Sequence, residues 1–86
     1  MASNQNVVNR FRIAFVMRLA NMSAREQAAL YLSLKSQCQV AEMKHRKRFL
    51  EIQIEMVKSI GHYLHLKEFV DAVKELGDKD GDEGKE

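Results

Sequence analysis

The sequence predicts an all-α protein of three helices with a long central one, and three observations carry that expectation. Apolar residues recur at steps of three and four along most of the chain, the spacing of helix faces. The stretch from Ser23 to Ile60 contains neither Pro nor Gly. Gly61 and Gly77 stand where apolar runs end, as helix-stopping glycines do.

Helix 1 is expected over residues 6–21. Val7, Phe11, Phe15 and Leu19 line one face, and Val8, Ile13, Val16, Met17 and Ala20 spread apolar surface around the circumference. Such a helix is expected to be buried on several sides. Ser23 with Glu26 three residues later forms a capping-box pattern, which opens helix 2 at Ala24.

Helix 2 is expected over 24–60. As one rod it measures about 57 Å, whereas a compact chain of this length has a radius of gyration of about 12 Å. Either the chain breaks the rod or it shares it with partner chains. A seam runs along it through Tyr31, Leu34, Cys38, Ala41, His45, Phe49, Ile52, Met56 and Ile60. From Phe49 onward, Leu50, Ile54 and Val57 add a second apolar face, so one side meets helix 3 and the other a partner chain. Gly61 ends the helix.

Helix 3 follows over 63–76, with Leu66, Phe69, Val70, Val73 and Leu76 as its stripe. Residues 78–86 are polar, acidic and Gly-containing, and are expected to be a disordered tail. Residues 1–77 thus form one helical domain. A core this thin, with Cys38 the only cysteine and no disulfide to staple it, favours a homo-oligomer, a dimer or higher. The lone cysteine suits a reducing compartment. The start of the chain lacks the basic and apolar regions of a signal peptide, and Arg10, Arg12 and Arg18 interrupt its apolar run. The expected location is the cytoplasm of the cell or of a host cell, with no membrane span.

The net charge of +2 conceals an asymmetry. Residues 1–50 hold nine Lys/Arg and two Asp/Glu, a net of +7, and residues 51–86 hold five and ten, a net of −5. Either the two halves attract each other, within one chain or between antiparallel chains, or the basic half meets an anionic partner; the antiparallel pairing is the simplest arrangement.

Lys44-His45-Arg46-Lys47-Arg48 is the sharpest polar feature. Lys44, Arg46, Lys47 and Arg48, then Arg10, Arg12 and Arg18, are the candidate residues for a partner or an anion. A solvated face with Glu42–Arg46 and Lys47–Glu51 ion pairs is the plainer alternative. His62 and His65 find no third ligand at a recognised spacing, so no metal and no cofactor is expected. Cys38 lacks a base beside it, and no paired acid and base marks an active site, so no catalysis is expected.

Two short stretches resemble known motifs. Residues 27–40 look similar to the first helix and turn of a helix-turn-helix, with Ser33 in place of the turn Gly and Val40 one residue late; a second helix would then start at Ser36. Asp78-Lys-Asp-Gly-Asp-Glu resembles the opening of an EF-hand loop, but Glu83 stands where that family needs Gly and the chain ends before the twelfth position.

Three functions follow. The first is a small non-catalytic protein that binds another protein as adaptor, export-type chaperone or inhibitor, of the sort found among phage and plasmid accessory proteins. The second is a binder of nucleic acid or a nucleotide, with Tyr31 or Tyr63 stacking on a base. The third is a structural oligomeric component.

Overall fold

The computed structural model describes residues 2–85, with residues 2–6, 8 and 78–85 described by their backbone alone. It is all-helical: α1 spans Ala2–Ala20, α2 spans Ala24–Val40 and α3 spans Lys44–Lys85, and the described residues include no strand. No helix is long and apolar enough to cross a membrane among the described residues.

The turn between α1 and α2 follows the sequence reading. Ser23 Oγ accepts the backbone N–H of Glu26 at 3.1 Å, and Glu26 Oε1 accepts the N–H of Ser23 at 2.8 Å. Two orphan donors at the start of α2 are thereby satisfied. Gln27, fully buried, donates Nε2 to the Leu19 carbonyl at 2.7 Å and so ties the end of α1 to the first turn of α2.

The 24–60 rod is broken, the first of its two alternatives. Ala41 leaves the helix at φ −71°, ψ 132°, and its N–H closes the end of α2 on the Cys38 carbonyl at 3.3 Å. No breaker residue causes this, because Ala41, Glu42 and Met43 are all good helix formers. The cause is tertiary. A bend here lets α2 fold against α3, the main packing in the molecule, and Leu34 on one side and Leu50 and Val57 on the other are buried. Cys38 Sγ, 3.8 Å from the Lys47 carbonyl, spans the corner.

Residues 33–36 lie inside α2, so the helix-turn-helix likeness fails at its turn. The expected stop at Gly61 is also absent. Helix α3 runs through it and bends instead at Leu66, the only non-helical residue within α3 (φ 20°, ψ −85°). The arm beyond folds back, and Phe69 comes down on Gly61. Gly61 therefore serves close approach rather than termination. Past Gly77, also expected as a stop, helical backbone continues to Lys85, through the residues read from sequence as a tail.

The second arm is held to α2 by apolar contact. The Phe69 ring meets Tyr31 edge-on at 5.9 Å and His62 at 5.5 Å. Arg25 and Glu75 pair at 2.7 Å across the same interface, but both are more than half exposed, so the pair adds little. Asp71, hydrogen-bonded to Lys67 Nζ at 2.8 Å, raises the Lys67 pKa by that bond first and by charge second. Any stability from this exposed pair is present below the ordinary lysine pKa and is lost as pH rises through the raised, folded one.

Leu66 is 61 % exposed, so its side chain contributes little while its backbone is strained at a positive φ outside the regions open to L residues. Replacing it with Gly relieves about 1–3 kcal/mol of strain against about 1 kcal/mol of extra chain entropy. Leu66→Gly is expected to raise the melting temperature by several degrees. A lower value in thermal denaturation refutes that strain.

Helix α1 departs from expectation. Among its described side chains only Phe15 and Leu19 are buried, while Val7, Ile13 and Met17 are 59–66 % exposed. It makes its chief contact with α3. The molecule is a thin slab, 50 × 32 × 13 Å along its principal axes, with a radius of gyration of 14.4 Å.

Candidate functional site

Two surfaces emerge from this arrangement. The first is the corner between α2 and α3. Val40 and Met43 flank the break and are 77 % and 69 % exposed. Lys44, Arg46, Lys47 and Arg48 follow at once on the opening turns of α3, and all are exposed. None of the four makes an ion pair among the described residues. The break puts Glu42 outside α3, which removes the helical spacing of the expected Glu42–Arg46 pair, and Lys47–Glu51 does not close either.

This start of α3 is electrostatically unusual. It has no acidic residue in its first turn, and Met43, which precedes it, has no oxygen to cap a free N–H. Cations therefore gather at the positive end of the helix dipole. An anionic group on a partner would relieve that repulsion.

The second surface is a groove of about 700 Å³ between α1 and α3. Its apolar floor includes Val16, Ile52, Met56 and Ile60, all half-buried. Arg12 and Arg48 stand on its rim as cations, Glu51 and Glu55 as anions, and all four are exposed. Between corner and groove, the Phe11 ring packs on Phe49 at 5.2 Å and stacks on Phe15 at 5.8 Å.

The fold therefore divides the predicted seam. Tyr31, Leu34, Cys38 and Ala41 lie in or just after α2 and pack in or against the core of the same chain. His45 is exposed. Phe49, Ile52, Met56 and Ile60 remain on or beside the α1–α3 groove. The predicted cations divide as well. Lys44, Arg46 and Lys47 belong to the corner, and Arg12 and Arg48 to the groove rim. Arg10 and Arg18 are exposed elsewhere on α1.

Neither tyrosine joins the basic cluster. Tyr31 packs on Phe69, with Lys35 Nζ 5.4 Å from its ring centre. Tyr63 is 84 % exposed but lies about 25 Å along α3 from Arg46. No group of three residues able to hold a metal occurs among the described residues.

Sequence reasoning missed Val40, Met43 and Glu55. The signal for Glu55 was present, since Glu51 and Glu55 are like charges one helical turn apart and repel unless a cation meets them. Comparison with family models, curated proteins and solved structures finds no match to this chain.

Proposed function

We propose that this protein acts without catalysis, by binding another protein at the α2–α3 corner. The observation that carries the reading is the pairing of Val40 and Met43, two largely bare apolar side chains, with the cations of 44–48 directly beside them. Apolar anchors give such a contact its strength and the surrounding charges its selectivity and speed. The chemistry fits an acidic segment that carries its own apolar side chains. Binding would act by covering that segment, as an adaptor, chaperone or inhibitor does.

A second reading is supported by the uncapped, acid-free start of α3: phosphate groups of a nucleic acid or nucleotide would neutralise the same cations. The distance of Tyr63 from the cluster and the packing of Tyr31 on Phe69 weigh against base stacking there.

One experiment separates the two. Tagged protein is used to capture partners from the producing cell's extract, and anisotropy follows a labelled short duplex and single strand across a salt series. The variants are Val40→Ser with Met43→Ser, and Lys44, Arg46 and Lys47 together changed to Glu. The protein reading expects one partner that the serine variant loses and that persists at high salt. Tight nucleic-acid binding that falls steeply with salt, indifferent to the serine changes, overturns it in favour of the second reading. Retention of the same partner by both variants overturns the corner itself.

A further inference from the structure

The groove between α1 and α3 has a pattern that the corner lacks: it is complementary to itself. Along α3, Arg48, Ile52 and Glu55 fall at steps of four and three, on one side of the helix. Seven residues separate the cation from the carboxylate, about 10.5 Å of rise. A two-fold axis through Ile52, perpendicular to the helix, reverses the direction of a second α3. It sets Ile52 against Ile52 of the second copy and brings Arg48 within one residue's rise of the opposing Glu55. By symmetry the same contact forms twice. Within one antiparallel pair, residues on the same flank of the two helices meet, and Arg48 and Glu55 share a flank.

The shape of the groove supports the same conclusion. Val16 and Ile52 lie half-buried outside the core cluster, and Met56 and Ile60 sit at its edge. The partial burial of these residues along an open groove marks where a further layer fits.

Charge decides what that layer is. Glu51 and Glu55 make no ion pair among the described residues, and neither does Arg48. A neutral apolar helix would leave all three unmatched. A second copy in antiparallel register brings the cation to the carboxylates and apolar floor to apolar floor. We propose that a second copy of this chain occupies the α1–α3 groove, antiparallel, with Arg48 of each copy facing Glu55 of the other across a dyad at Ile52. This interface uses neither Val40 nor Met43 and draws only Arg48 from the cations of 44–48, so each copy's corner keeps its apolar anchors with Lys44, Arg46 and Lys47.

The test is a charge exchange read by sedimentation velocity. Wild type is expected to sediment at twice 9.9 kDa. Arg48→Glu opposes two carboxylates and Glu55→Arg opposes two cations, so each alone is expected to weaken the dimer at least about tenfold. An equimolar mixture of the two variants matches every charge again and is expected to restore the dimer, as is the double variant. Both positions are exposed, and circular dichroism of each variant verifies that the fold survives. Ile52→Asp, at the dyad, is a second and independent way to split the dimer. The proposal is overturned by a wild type that stays monomeric, by a dimer indifferent to the single reversals or to Ile52→Asp, or by folded single variants whose mixture does not re-form the dimer.

Discussion

Phe69→Ala is expected to cost about 3–5 kcal/mol, most of the stability of a chain this size. Phe69 is 2 % exposed and, among the described residues, is the one large side chain of the second α3 arm that is fully seated. It touches three things at once: Gly61 beneath it, His62 beside it and the edge of Tyr31 on α2. Removing the ring leaves a void that two helices border and neither can fill. In urea denaturation the midpoint should fall sharply. A loss below about 1 kcal/mol would mean that the ring is not a core residue.

The second large effect comes from the other side of the same contact. A Cβ on Gly61 would lie 2.5 Å from Phe69 Cδ1, well inside contact distance. Elsewhere in a helix, Gly→Ala gains roughly 0.5–1 kcal/mol. Here the ring cannot yield, since it is itself packed, and Gly61→Ala is expected to destabilise by about 1–3 kcal/mol. Gly77→Ala is the internal control. Its Cβ would meet Leu32 Cδ2 at 3.8 Å, ordinary contact, so it should stabilise by roughly 0.5–1 kcal/mol. Opposite signs for the two substitutions, measured in one denaturation series, identify close approach as the role of Gly61. Equal signs refute it.

The helical class was legible because periodicity is a local property, and so was the start of α2, where Ser23 and Glu26 carry their own geometry. The corner at 41–43 was not. Ala41-Glu42-Met43 has no preference for a bend, and the bend exists because Leu34, Leu50 and Val57 are buried by it. Gly61 was legible as special but not in which way, since the same missing Cβ serves a helix end and a seated ring. At the candidate surfaces, the cations of 44–48 were plain in the sequence. Their neighbours Val40 and Met43 were not, because their exposure depends on where the helix breaks. Glu55 was marked in the sequence by its repulsion from Glu51, but its place on the groove rim depends on how α3 lies against α1.

The light docking of α1 has a consequence for the order of assembly. Helices α2 and α3 meet across a three-residue link, residues 41–43, and closing so short a loop costs little entropy. Helix α1 is separated from α3 in sequence by the whole of α2, so their contact is a longer closure rewarded by less packing. The α2–α3 corner is therefore the early event and the seating of Phe15 and Leu19 the late one. Since α1 forms one wall of the groove, the groove comes into being with the last step of folding. On the pairing proposed above, a chain not yet fully folded has its basic corner but no surface for its own copy, and pairing would then select finished chains.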